Sequence, residues 1–211
     1  MCESVKKVGI MGGTFDPIHN GHLVIAQAAL DTMNLDEVLF IPSGTPYLKD
    51  LTTVLSKKKR VSMTGLAIED NPGFALSTIE IDREGNSYSY ETLEELKKKN
   101  PDVEYYFILG ADSLLDLEKW KNPDRLMASC TLLTAVRDAC DEEKIQDAIK
   151  YLQDKYDAKI VLLPTPRLDI SSTMIRKRVQ EGKSIRYMVP DSVIDFIQRH
   201  EIYVKGENAQ E

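Results

Sequence analysis

Between its first apolar run and its first helical pattern the chain reads Gly12-Gly13-Thr14-Phe15-Asp16-Pro17-Ile18-His19-Asn20-Gly21-His22. Two of the three histidines stand here, three residues apart. Val8-Gly9-Ile10-Met11 before the string reads as a buried strand, and Leu23, Ala26, Ala29, Leu30 and Met33 after it recur at helical spacing. Gly12 and Gly13 let the backbone approach a ligand closely and turn N–H groups toward phosphate. Asp16-Pro17 shapes a turn, and Asn20 is placed to cap the helix that begins near Gly21. A helix start attracts anions, and His19 and His22 face one side of it. The chemistry expected of this string is phosphate binding and stabilisation of charge developing there. As loop residues, both histidines are expected to be solvent-accessible.

A second anion site is expected at Ile170-Ser171-Ser172-Thr173-Met174-Ile175-Arg176. The hydroxyls cap and open a helix, and Arg176 lies one turn inside it on the face of Ser172. Hydroxyls, exposed N–H groups and a guanidinium suit a triphosphate tail. Gly110-Ala111-Asp112 ends a strand, where a carboxylate can accept hydrogen bonds from ribose hydroxyls. Trp120 is the single tryptophan, and core packing is the ordinary use of one.

The elements that must position these residues alternate. Strands are read at Glu37–Ile41, Phe74–Ile81, Tyr105–Leu109, Thr131–Val136 and Ile160–Leu163. Helices are read at Arg60–Glu69, Tyr90–Lys99 and about 142–154, 172–181 and 190–199, with Ser43–Ser56 a loop. Lys57-Lys58-Lys59-Arg60 reads as a solvated helix start. Apolar strands alternating with helices predict an α/β, doubly wound, Rossmann-like parallel sheet with helices on both faces. Such sheets bind ligands beyond the carboxyl ends of their strands. A single domain is expected over residues 1–211, with about 205–211 as a flexible tail.

The composition bounds the function. The 211 residues carry a net charge of -7, so nucleic acid and anionic membranes are not expected partners. No secretory or membrane-spanning stretch is read. Cys2, Cys130 and Cys140 are odd in number and lack CxxC spacing, which argues against a disulfide framework or a zinc site and for a reduced cytoplasmic home.

The first string resembles the T/HxGH signature of the nucleotidyltransferase superfamily. Arg83-Glu84-Gly85-Asn86-Ser87-Tyr88-Ser89-Tyr90-Glu91-Thr92-Leu93, Gly110-Ala111-Asp112-Ser113-Leu114 with Trp120, and the Ser171–Arg176 segment follow in that order. Together they resemble the bacterial nicotinate mononucleotide adenylyltransferases, from about Val8 to Tyr203. The resemblance implies transfer of AMP from MgATP to nicotinate mononucleotide, giving deamido-NAD and pyrophosphate. It implies His19, His22 and Arg176 as catalytic residues. ATP would meet these three with Gly12, Gly13, Thr14, Phe15, Gly110, Asp112, Ser171 and Ser172. The mononucleotide would meet Ser43, Lys49, Ser89, Thr92 and Trp120, the tryptophan stacking on the cationic pyridine ring. Mg²⁺ would arrive with ATP, and no protein metal cage is expected.

Three places depart from the family. Ser89 stands where threonine is more usual, Pro46-Tyr47-Leu48-Lys49 where Pro-Pro-His-Lys is, and Arg137-Asp138-Ala139 where Arg-Pro-Gly is. Arg137 is therefore given no role. Another phosphate acceptor, a nucleotide-binding module without turnover, and a homo-oligomeric state all stay open at this point.

Overall fold

The computed structural model describes residues 5–47, 50–135, 142–166 and 168–204. Six strands form one sheet: β1 (Lys7–Gly13), β2 (Glu37–Pro42), β3 (Phe74–Leu76), β4 (Glu104–Gly110), β5 (Thr131–Ala135) and β6 (Lys159–Leu163). Their order is β3-β2-β1-β4-β5-β6, and β1–β4, β4–β5 and β5–β6 pair parallel. Tyr105 to Leu109 are all buried, as a central strand covered on both faces requires. The order runs outward from β1 in both directions. This is the doubly wound α/β architecture expected from the alternation, and its switch point lies between β1 and β4, which end at Gly12-Gly13 and Gly110.

The helices are α1 (Asn20–Met33), α2 (Lys57–Ile68), α3 (Ser89–Lys99), α4 (Ala111–Leu115), α5 (Pro123–Ser129), α6 (Glu142–Tyr156), α7 (Ser172–Gln180) and α8 (Asp191–Arg199). Two departures from the sequence reading have local causes. The strand expected over Phe74–Ile81 stops at Leu76. Ser77 still donates to the Phe40 carbonyl, but the Thr78 carbonyl then takes the Asp82 N–H and the Thr78 hydroxyl donates to Asp82, closing a turn. The sequence pattern does not show the helices α4 and α5. Both are short, and Asn122, left-handed at φ 49°, separates α5 from the turn before it. The expected Val136 and tail 205–211 fall outside the described residues.

The described residues group into two compact units. One draws on Met1–Gly12, Val24–Leu39 and Tyr88–Arg167. Its core holds Val8, Ile10, Phe107, Ile108, Leu132 and Leu133, with α3 packed on α5 and α6 on β6. The other draws on Gly13–Leu23, Phe40–Ser87 and Leu168–Glu211. There α2 packs on β3 and on α8, burying Met63, Ile68, Val193 and Ile197, and Ser192 Oγ donates to the Leu66 carbonyl at 3.0 Å. Among the described residues no helix is long and apolar enough to cross a membrane.

Candidate active site

The second unit holds the histidine string. Phe15 is buried in a left-handed conformation at φ 50°. A β-carbon on Gly13 would lie 2.9 Å from the Phe15 ring, so only glycine lets that ring fold back. The ring then stands edge-on to His22, with centroids 5.1 Å apart. His19 and His22 stack at 3.7 Å with a 23° interplanar angle, which realises the shared side expected from their spacing. The His19 backbone N–H donates to His22 Nδ1 at 3.2 Å. A ring nitrogen that accepts carries no proton, so the proton of a neutral His22 ring sits on Nε2.

Two expectations about this string are corrected. His19 is 2% exposed, not an open loop residue. The His22 ring covers one face, and Gly21 lets the chain pass so close that a β-carbon there would lie 3.0 Å from His19 Nδ1. Asn20 does not cap α1. Its side chain donates to the Tyr187 carbonyl and its backbone N–H to the Met188 carbonyl, both at 2.8 Å, so it ties the helix start to a distant loop.

The start of α7 docks on the same string. Ser171 caps the helix, accepting from the Met174 N–H at 3.2 Å, as expected. Ser172 Oγ donates to the Pro17 carbonyl at 2.9 Å. Arg176 Nη1 donates to the Asp16 carbonyl at 2.7 Å, and Nη2 to Thr173 Oγ1 at 3.3 Å. The Asp16-Pro17 peptide is cis. The Asp16 side chain, 4% exposed as a residue, accepts from the Tyr203 hydroxyl at 2.5 Å and from the Leu55 N–H at 3.3 Å.

Sequence reasoning missed Arg60. It is 1% exposed. Its Nε donates to the Leu55 carbonyl (3.0 Å), Nη1 to Thr14 (2.8 Å), and Nη2 to Ser43 (2.7 Å) and Gly44 (3.1 Å). Burial pushes the guanidinium below its usual range, opposed by the charge of Asp16. The three lysines beside it hid its helical register. Arg60, Met63 and Thr64 lie three and four apart and are all buried, so Arg60 belongs to the inward stripe.

Ser43, expected on the mononucleotide side, is thereby held by its carbonyl, and its N–H donates to the Gly13 carbonyl at 2.8 Å. Its hydroxyl oxygen is buried with no hydrogen-bond partner among the described residues. Ser87, also missed, grips the same loop: its Oγ accepts from the N–H groups of Gly44 (2.9 Å) and Thr45 (3.2 Å). Lys49 lies outside the described residues.

The first unit holds the remaining expected residues. Gly12 and Gly110 stand at the ends of neighbouring β1 and β4. Asp112 is exposed in the first turn of α4. Ser89 opens α3 and is half-buried, whereas Thr92 is buried and its hydroxyl donates to the Tyr88 carbonyl at 3.3 Å. Trp120 is half-buried rather than in the core, edge-on to Phe107 at 6.1 Å. Cys130 is a free buried thiol whose pKa burial pushes up to about 12, so it is inert as a nucleophile. Among the described residues no group of three or more His, Cys, Asp or Glu could hold a metal ion.

Residues 10–178 match the cytidylyltransferase-like family. The chain belongs to this family, among its nicotinate-nucleotide adenylyltransferases. It is 47% identical to the probable nicotinate-nucleotide adenylyltransferase of Lachnoclostridium phytofermentans, over 95% of this chain and 100% of that one. It is 44% identical to the protein of the same name from Clostridium botulinum, strain Eklund 17B, over 94% and 98%. The Plasmodium falciparum nicotinic acid mononucleotide adenylyltransferase, solved in complex with NaAD, superposes with a TM-score of 0.76 at 22% identity, covering 94% of this chain and 97% of that one. At that identity the likeness establishes the fold.

Proposed function

We propose that the chain transfers AMP from MgATP to nicotinate mononucleotide, releasing pyrophosphate and forming deamido-NAD. The observation that carries the reading is the docking of Arg176 and Ser172 on the Asp16-Pro17 turn, next in sequence to the stacked His19–His22 pair. Relatives of full-length similarity bear the name of this activity.

The nucleophile is a phosphate monoester oxygen of the acceptor. Its second pKa is about 6, so it is largely ionised at neutral pH. It attacks the α-phosphorus, the bond from that phosphorus to the bridging oxygen breaks, and pyrophosphate leaves with the electron pair. No side-chain nucleophile and no strong base is needed. The protein supplies position and charge complementarity.

His22 donates through Nε2 to the nucleotide phosphates, beside His19. Arg176 has donors beyond those engaged by Asp16 and Thr173, and these meet charge that builds on the leaving pyrophosphate. Gly12, Gly13, Thr14 and Phe15 cradle the nucleotide, and Ser171 stands at the helix end that faces its phosphates. Gly110 and Asp112 meet the ribose. Ser43 offers a buried hydroxyl to the acceptor. Ser89 sits at the start of α3, where exposed N–H groups favour a carboxylate, with Thr92 one turn in. Trp120 stacks on the pyridine ring. Mg²⁺ enters with the substrate and neutralises phosphate charge. The expected compartment is the cytoplasm.

The test is pyrophosphate release from ATP with a panel of acceptors: nicotinate mononucleotide, nicotinamide mononucleotide, phosphopantetheine and glycerol 3-phosphate. The reading requires release with the first, at a kcat/KM roughly 100-fold or more above the amide analogue. That margin is the scale of two unpaired buried groups. Preference for phosphopantetheine or the polyol phosphate would reassign the acceptor, and release with none would leave a binding module.

A further inference from the structure

We infer that Tyr203 is a positioning residue for the transfer reaction: through Asp16 it sets the turn on which Arg176 is docked. This rests on the reading of Arg176 as the group that meets the ATP phosphates.

The geometry is a set of four hydrogen bonds within one unit, all made to Asp16 or Pro17. The Tyr203 hydroxyl donates to Asp16 Oδ1 at 2.5 Å across 187 residues of sequence. Asp16 Oδ2 accepts from the Leu55 N–H, so the carboxylate is held from two sides. The carbonyl of the same Asp16 accepts Arg176 Nη1 at 2.7 Å, and that of Pro17 accepts Ser172 Oγ. Moving the Asp16 side chain therefore moves the acceptors that orient Arg176. A guanidinium is a planar fork, so a small rotation of one bonded edge swings the opposite edge away from its phosphate.

The tail is built to deliver this hydroxyl. Glu201 and Tyr203 both adopt left-handed backbone, at φ 49° and 67°, a conformation that disfavours residues with a β-carbon. Ile202 between them is buried and anchors the turn. Burial, with Asp16 beside it, holds the Tyr203 phenol well above its ordinary range, so the hydroxyl stays a donor at every pH at which the enzyme would work.

Neither partner would be found from its own stretch of sequence. Asp16 reads as half of a turn dipeptide, and Tyr203 as one aromatic near the end of α8. Nothing in the local pattern pairs them.

The experiment compares Tyr203→Phe, Arg176→Lys and the double variant with the native enzyme, measuring kcat and KM for ATP and for nicotinate mononucleotide, together with Tm. Tyr105→Phe is the control: it removes another buried tyrosine hydrogen bond, to the Leu96 carbonyl at 3.2 Å, made within the other unit. Tyr203→Phe is expected to raise the KM for ATP or lower kcat at least about fivefold, on the scale of one ordinary intramolecular hydrogen bond. KM for the mononucleotide should move less than about twofold. Tyr105→Phe should lower Tm and leave kinetics unchanged. In the Arg176→Lys background the Tyr203 change should cost less than about twofold, because the two act on one element.

A Tyr203→Phe enzyme that melts lower but keeps native ATP kinetics would overturn the inference, as would full additivity in the double variant. If Arg176→Lys itself leaves ATP use untouched, the reading beneath it fails instead. Should Tyr203→Phe not fold, Asp16→Ala, which removes the acceptor of the phenol and leaves the main-chain carbonyls of Asp16 and Pro17, takes its place under the same criteria.

Discussion

Arg60 gives the most direct test of how the two loops are held. Its guanidinium makes four hydrogen bonds to carbonyls of Leu55, Thr14, Ser43 and Gly44, at 2.7 to 3.1 Å, in a fully buried setting. Hydrogen bonds to a charged group contribute about 1.5–3 kcal/mol each. They do not sum, because burying the cation costs several kcal/mol. Arg60→Met removes the donor and also takes a cation away from buried Asp16, whose charge acts on Arg60. Leaving buried carbonyls without their donor costs about 1–3 kcal/mol each, not additively, so a loss of about 3–5 kcal/mol is expected. For a chain of this size each kcal/mol lowers Tm by about 2–4 °C, so the expected drop is roughly 6–20 °C.

Arg60→Lys keeps the charge but not the fork, and three ammonium donors cannot span four carbonyls in one plane. It should lose roughly half as much stability and stay folded for assay. In that variant kcat/KM for ATP and for nicotinate mononucleotide should both fall about tenfold or more. The reason is that Thr14 belongs to the nucleotide loop and Ser43 to the loop proposed for the acceptor, and misplacements near 1 Å are costly. Thermal melts and steady-state kinetics check both. If Arg60→Met melts within about 2 °C of the native protein, the guanidinium is not organising these loops and the argument fails.

Three further expectations follow from the site. His22→Ala should lower kcat at least about 100-fold with little change in Tm, and His19→Ala should do the same while also lowering Tm, since His19 is buried; near-native turnover in both would remove them from catalysis. Gly44→Ala would place a β-carbon 2.0 Å from the Glu80 carbonyl oxygen, so the loop must shift; KM for the mononucleotide should rise at least about tenfold, and an unchanged KM by initial-rate assay would separate this loop from the acceptor. Chelator should abolish turnover and added Mg²⁺ restore it; full activity in excess chelator would mean that protein cations alone neutralise the triphosphate.

What was legible in the sequence is what local chemistry determines. Apolar runs such as Tyr105 to Leu109 can only be buried strands, and their alternation with helical periods leaves few topologies besides a doubly wound sheet. Ser171 caps α7 through a hydroxyl three residues from its partner N–H, so its role is visible within four letters. The stacking of His19 on His22 follows from their spacing at a helix start. The β3 strand failed because Thr78 and Asp82 compete locally for the backbone, and side chains of that kind offer a turn as readily as a strand.

The illegible part is of another kind. Arg60 binds carbonyls up to 46 residues away, Ser87 reaches Gly44 across 43, and Tyr203 reaches Asp16 across 187. Each is a polar side chain whose local neighbours are uninformative: a lysine run, a Gly-Asn turn, a chain end. A buried polar group must find partners, but the sequence does not say that it is buried. These three residues make no expected contact with substrate, yet they orient the loops bearing Thr14, Asp16, Ser43 and Gly44. The motif residues therefore state which chemistry is available, and the long-range polar pairs govern how accurately it is aimed. Two chains with identical motifs could then differ widely in rate if one lacked the counterpart of Arg60 or Tyr203. Restoring that single side chain should recover turnover with no change in the motif itself.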